Sequence, residues 1–343
     1  MPIDESTAGK DSERILVTGG TGFLGAYIIK ELVSRNYPVR AIRRTNKLPF
    51  FIPAAALARV EWVDGDILDT CSLEEAMEDV RAVVHAAAKV SFSPADREEL
   101  YKTNIIGTAN VVNAALERKI EKLIYVSSVA ALGRSMNGAT INEGSQWEKI
   151  NLNTNYAKSK YHAEMEVWRG IGEGLSAVVV NPSTILGYGD WNNSSCAIFK
   201  NVYNQFPWYT NGINGFVDVE DIAKVVSGLL ESSISGERFV LSGENWSFRQ
   251  LFNAIADGFS KKHPSREATA LMAAVAWRVE RVKSFLTGAP SLLTRESARL
   301  ARNITYFDSS KILQYLPGFR FTPLKQTIVQ SCNAYLVQEN QRS

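Results

Sequence analysis

The sequence predicts an α/β fold: a doubly wound parallel sheet joined to a smaller, mostly helical lobe. Three observations carry this reading. From Arg14 to about Val180, short β-branched runs alternate with longer helical patterns. The runs are continuously apolar, as strands covered by helices on both faces must be. A glycine-rich turn joins the first run to the first helix, which is where such a sheet begins.

Taken in order, ILVTG (15–19) is a strand, and FLGAYIIKELVSR after it has apolar residues at helical spacing. Further strands are expected at VRAIR (39–43), VEWV (60–63), AVVH (82–85), LIYVSS (123–128) and AVVV (177–180). Beyond Asn181 the texture changes. GYGDWNNSSC is rich in Gly, Asn and Ser, FPWY (206–209) adds aromatics, and FVDVEDIAKVV (216–226) opens another helix. ERFVLSG (237–243) reads as one more strand, followed by mainly helical sequence. The expected organisation is a tail at 1–13 and a nucleotide-binding unit at 14–186, to which 216–243 returns. A second lobe is expected from 187–215 and 244–310, with a C-terminal helical segment at 311–343.

The 343 residues are 45% hydrophobic and 22% charged, which excludes disorder and fibrous classes. With 38 Lys and Arg against 36 Asp and Glu, the net charge of +2 gives no basic stripe for nucleic acid. Cys71, Cys196 and Cys332 are few, odd in number and far apart, pointing to a reducing compartment without disulfides. His85, His162 and His263 fall in no metal-binding spacing, so no metal is expected. MPIDESTAGKDSE is polar and acidic and does not read as a signal peptide. The apolar stretch around Ala268–Trp277 is too short to span a bilayer. The class is a soluble cytoplasmic enzyme acting on a small molecule, with no nucleic-acid partner and no stable membrane insertion.

The turn is Thr18-Gly19-Gly20-Thr21-Gly22-Phe23-Leu24-Gly25. Glycines at 19, 22 and 25 allow a tight turn, close backbone approach and close helix–strand packing. The helix N-terminus then offers unpaired N–H groups and a positive dipole to a pyrophosphate, as in a Rossmann-type site. An acid about 20 residues on would mark NAD. No Asp or Glu occurs between Glu31 and Glu61, and the second strand ends at Arg43-Arg44. Two guanidinium groups suit a 2′-phosphate, so NADP is the expected cofactor, with NAD possible.

Tyr156 and Lys160 share a helix face at i and i+4. A phenol with a pKa of about 10 is a poor base near neutrality, and a neighbouring ammonium is expected to lower it, fitting Tyr156 for proton exchange with a substrate oxygen. Ser128 ends a strand where it could hydrogen-bond that oxygen. His85 reads as a packed strand-end histidine, not a ligand or base.

These segments together resemble the extended short-chain dehydrogenases/reductases, the NAD-dependent epimerase/dehydratase family, over most of 14–260. TGGTGFLG, GDILD (65–69), VVHAAAKVSF (83–92), Asn104, YVSS (125–128), YAKSK and DVEDIA (218–223) follow in the family's order. The resemblance implies Ser128, Tyr156 and Lys160 as the catalytic triad, with Lys160 also holding the nicotinamide ribose. It implies cofactor contacts at Asp66 and Ile67 beside the adenine, and at Ala86, Ala87, Ala88, Ser127 and Pro182. Asn104 would support the site. It also implies a homodimer built on helices near 97–118 and 154–169.

Three chemistries share this machinery. A dehydratase resembling others of the family would carry Asp-Glu after its catalytic hydroxyl, but Val129-Ala130-Ala131 follow Ser128. Sugar-nucleotide enzymes usually carry an Arg where Asn214-Gly215-Phe216 stands, although Arg249 or Arg266 could substitute. The remaining branch is similar to dihydroflavonol reductases and 3β-hydroxysteroid dehydrogenases. Trp191, Phe206, Trp208 and Tyr209 then either line an apolar substrate pocket or pack the lobe's core. Asn181 before Pro182 keeps a nucleotide-sugar epimerase as the alternative, and a non-catalytic dinucleotide sensor as the second.

Overall fold

Seven β-branched runs form one parallel sheet in the computed structural model, which describes residues 14–133, 138, 140–148, 153–269 and 299–342. The strands are β1 (Arg14–Thr18), β2 (Val39–Arg43), β3 (Val60–Asp64), β4 (Val80–His85), β5 (Lys122–Val126), β6 (Ala177–Pro182) and β7 (Glu237–Leu241). Their spatial order is β7-β6-β5-β4-β1-β2-β3. The chain winds outward from β1 and then returns to lay β4 on the other side of it. That reversal opens a crevice beyond the carboxyl ends of β1 and β4, the place where such sheets bind ligands.

Alternation explains why both faces are covered. Ile15, Val17, Val84, Ile124 and Val180 face one core, with helix α1 (Phe23–Ser34) and the helix Val219–Leu230. Leu16, Val83, Leu123, Tyr125 and Val179 face the other, with α2 (Gly107–Glu117) and α3 (Asn155–Gly172). A strand buried on both faces has no polar side to show, hence the unbroken apolar runs. The chain enters α2 through a helical turn at Arg97–Tyr101 and a π-helical stretch at Lys102–Ile106. Such stretches are rare and recur at functional sites.

The second lobe is built on a three-stranded sheet of Thr184–Leu186, Ile213–Asp218 and Glu244–Ser247. Its core joins Phe199, Phe216, Leu251 and Ile255 to Ile328 and Tyr335. The last two lie on the C-terminal helix Leu324–Arg342, so this segment packs into the lobe and is not an appendage. Trp191 is buried there, stacked on Tyr335 at 5.2 Å. Of the aromatics considered for a pocket, Trp191 is therefore core packing, while Phe206 is 49% exposed. The tail at 1–13 and the lobe sequence at 270–298 lie outside the described residues.

Candidate active site

The site grows from the strand ends. β1 ends at Thr18, whose hydroxyl lies 2.7 Å from His85 Nδ1 and accepts from Ala87 N at 3.3 Å. Ala86 N donates to Thr18 O. The main chain after β4 is thus tied against the glycine turn. A Cβ on Gly19 would lie 2.6 Å from Ala87 N, and one on Gly25 would lie 2.1 Å from Gly19 O. Gly19 also has φ +74°, which a side chain disfavours. Gly22 caps α1 with no side-chain acceptor, leaving the first-turn N–H groups for an anion. This cradle fits a pyrophosphate. Phe23 packs toward Gly187 and Gly189, and Leu24 is buried.

At the end of β2, Arg43 Nε donates to Asp64 Oδ1 at 2.9 Å, and Arg44 is exposed. Asp64 is the register partner of Arg43 in the adjacent strand. Sequence distance hid this carboxylate. Asp66 and Ile67 follow in the loop: Asp66 Oδ1 accepts from Leu68 N, while Ile67 is buried against Gly107. Ala88 is exposed in the segment after β4, and Pro182 is the buried last residue of β6.

Asn104, in the π-helical stretch, is 1% exposed and fully engaged. It accepts from Lys89 N at 2.8 Å and donates to Lys89 O and to Ser159 Oγ. Ser159 lies between Tyr156 and Lys160 in sequence, and its hydroxyl donates to Tyr156 O. Asn104 therefore braces both the loop after β4 and the helix that carries the proposed acid/base pair.

Tyr156 sits in the first turn of α3, whose N-cap Thr154 accepts from Ala157 N at 3.0 Å. Phe92 meets its ring edge-on at 5.9 Å. Burial raises the phenol pKa above its ordinary value, and a hydrogen bond with the Ser128 side chain draws it back. The expectation that the ammonium lowers it is corrected by this arrangement. Lys160 Nζ instead donates to Val126 O at 2.8 Å and lies 4.7 Å from the Tyr125 ring centroid. Burial lowers the Lys160 pKa to about 7, against an opposing pull from Glu164.

His85 is buried between Thr18 and Thr108 and stacks on Tyr125 at 5.4 Å. Burial, aided by the Lys160 charge, holds its pKa down to about 3, so it is neutral packing. The Ser127 hydroxyl donates to Glu164 Oε2 at 2.7 Å. Asn181 Nδ2 donates to Ser128 O and to Glu164 Oε2. Asn181 thus has a structural task at the strand end, whatever sugar chemistry its place before Pro182 suggests. Glu164 and Arg238, also part of this cluster, escaped sequence reasoning, although YAKSKYHAE carries Glu164 at the same four-residue spacing.

A model of the NAD dependent epimerase/dehydratase family matches residues 15–242. The chain belongs to that family. It is 31% identical over 324 residues, 92% of each chain, to a Synechocystis protein provisionally named dihydroflavonol 4-reductase. It is 30% identical over 268 residues to cinnamoyl-CoA reductase 1 of Oryza sativa subsp. japonica, covering 73% of this chain and 77% of that one. The crystal structure of gox2253 superposes with a TM-score of 0.78 at 29% identity, over 95% and 98% of the two chains. A Thermus thermophilus UDP-glucose 4-epimerase solved with NAD superposes at 0.73 with 20% identity, over 94% and 98%, which speaks for the fold alone.

An apolar cleft of about 720 Å³ runs along Leu48–Trp62 and Tyr188 and includes none of these site residues. Among the described residues, no helix is long and apolar enough to cross a membrane.

Proposed function

We propose that this member of the family is an NADP(H)-dependent oxidoreductase acting on the carbonyl or secondary alcohol of a small apolar or aromatic compound. The observation that carries the reading is that the Tyr156 phenol bonds the Ser128 side chain just after β5, while Lys160, one turn along the same helix, donates to Val126 O at the end of β5. When bound, the nicotinamide supplies or accepts the hydride. Tyr156, protonated because burial raises its pKa, donates its proton to the substrate oxygen on reduction. Ser128 holds that oxygen, and Lys160 binds the nicotinamide ribose.

For the 2′-phosphate, Arg44 is exposed, and the Arg43–Asp64 pair is an exchangeable surface contact, with Asp64's side chain 79% exposed. Several relatives bear reductase names. A sugar-nucleotide role is disfavoured by the run Asn214-Gly215-Phe216. Asn214 Nδ2 donates to Thr184 Oγ1, and Gly215 is packed against Ser183, Ser242 and Phe307, with no arginine there. Arg249 and Arg266, the possible substitutes, stand over the Tyr209 and Trp208 rings. The test is a panel of aromatic aldehydes, flavanonols and ketosteroids against UDP- and dTDP-sugars, with NADPH oxidation as the readout. Oxidation by a carbonyl compound, lost in Tyr156→Phe, is expected. Epimer formation from a nucleotide sugar without net NADPH consumption would overturn the reading.

A further inference from the structure

From Ala86 to Ser93 the chain after β4 forms neither strand nor helix, yet polar bonds hold it closely. Asn104 grips the Lys89 main chain twice, accepting from its N–H and donating to its carbonyl. The Lys89 ammonium pairs with Glu99 and lies 3.9 Å from Asp96 Oδ1. Ser91 Oγ donates to Asp96 Oδ2 at 2.6 Å and accepts from Ser93 N at 3.1 Å. Lys89, Ser91 and Ser93 are thereby tied to one another and to the helical turns that follow. Two apolar residues, Val90 and Phe92, stand between them.

Neither of the two helps to build a core. Val90 is 53% exposed. Phe92 is half-buried and belongs to none of the four apolar cores among the described residues. Its ring instead meets Tyr156, with centroids 5.9 Å apart and planes at 69°. Tyr156 is itself half-buried, so the pair borders open space. A substrate oxygen that reaches the Tyr156 hydroxyl sets the rest of that molecule beside the Phe92 ring. An aromatic ring left partly in water there gains by being covered, and a second ring covers it with favourable geometry.

We infer that Phe92 is a specificity-determining residue, the aromatic wall of the substrate site, and that it selects carbonyl compounds carrying a ring close to the reacting carbon. The inference rests on the reductase reading above and deepens it by naming the side chain that reads the substrate. Because the loop is pinned at Lys89, Ser91 and Ser93, the wall stands in place before binding, and little ordering opposes it. A ring that only packs against Tyr156 would affect every substrate alike. Discrimination between substrates separates the two roles.

The experiment uses the full-length protein with NADPH and two aldehydes of equal carbon count, 3-phenylpropanal and nonanal. The readout is the ratio of kcat/KM for the ring-bearing aldehyde to that for the straight-chain one. In Phe92→Leu, which stays apolar and loses the ring, the ratio is expected to fall about three- to tenfold. Phe92→Tyr, which restores the ring, is expected to keep it within about twofold of wild type. Equal losses on both aldehydes in Phe92→Leu, leaving the ratio unmoved, overturn the inference. Should that variant not fold, a second measurement decides without truncation or turnover. It places 4-fluorophenylalanine at position 92 and follows its ¹⁹F resonance in NADPH-loaded protein as 3-phenylpropan-1-ol is added. A shift is expected, and a resonance unmoved by the alcohol overturns the inference. Failure of the reductase reading would show separately, as wild-type protein that oxidises no NADPH with any carbonyl compound, and the ¹⁹F signal would still decide Phe92.

Discussion

Replacing Lys160 by Met should make the protein more stable, and more so in acid than in base. The ammonium's pKa falls from 10.5 to about 7 on folding because the side chain is buried. The unfolded chain therefore binds the proton more tightly than the folded one. Below about pH 7 both states are protonated, and the full penalty acts against folding. It fades as pH rises through the window up to 10.5, above which both states are neutral. The slope in that window is about 1.4 kcal/mol per pH unit. Between pH 6 and 8.5 the wild-type penalty thus changes by about 2 kcal/mol. Methionine carries no such penalty and roughly fills the same space. For a chain of this length, the difference is worth about 3 °C in melting temperature. Comparing wild type and Lys160→Met at the two pH values cancels the other titrating groups, since His85, held down to about 3, stays neutral at both. The expected result is a stability gain larger by about 2 kcal/mol at pH 6 than at pH 8.5. A gain independent of pH would refute the claim that the buried ammonium titrates near neutrality.

Tyr156→Phe should bind NADPH with unchanged affinity, by fluorescence titration, while turnover falls by roughly 10²–10⁴-fold, the usual worth of a positioned proton donor. Gly25→Ala sets a methyl group 2.1 Å from Gly19 O, and calorimetry should show dinucleotide binding abolished. Arg44→Ala should weaken NADPH binding by about 1.5–3 kcal/mol and leave NADH unaffected; equal losses for both cofactors would count against the NADP assignment. The homodimer proposed on the helices around 97–118 and 154–169 predicts that Ile106→Glu, at a position 52% exposed, gives a monomer by light scattering.

The sheet was legible because a strand buried on both faces must be apolar throughout, and Ile15–Val17, Val83–Val84 and Val178–Val180 are. The glycine turn was legible for a local reason, since strand, cradle and helix are contiguous in the chain. What stayed hidden depends on contacts between distant segments. Asp64 meets Arg43 only because β2 and β3 pair in that register. Arg238 reaches Glu164 across 74 residues because β7 closes the edge of the sheet beside α3. The direction of the Lys160 side chain is also invisible in a four-residue spacing. The spacing places Tyr156 and Lys160 on one face, but a buried ammonium turns to whatever acceptor is nearest, here the Val126 carbonyl.

Ser128 follows β5, Asn181 lies in β6, and Tyr156, Lys160 and Glu164 lie on the helix between those strands. Hydrogen bonds within that β5–α3–β6 unit, with Arg238 added from β7, fix the Glu164 carboxylate and the Ser128 carbonyl on the framework that carries the proposed acid/base groups. The second lobe contributes none of these bonds. Its aromatic residues are occupied differently: Trp191 supports Tyr335 in the lobe's own core, and Tyr209 lies under the Arg249 guanidinium. A substitution in the lobe leaves in place the brace from Tyr156 to Asn104 through Ser159. Asn104 and Glu164 are both fully engaged within the sheet-and-helix framework that carries Tyr156 and Lys160, so the proposed acid/base role predicts that a substitution at either changes turnover whatever the substrate.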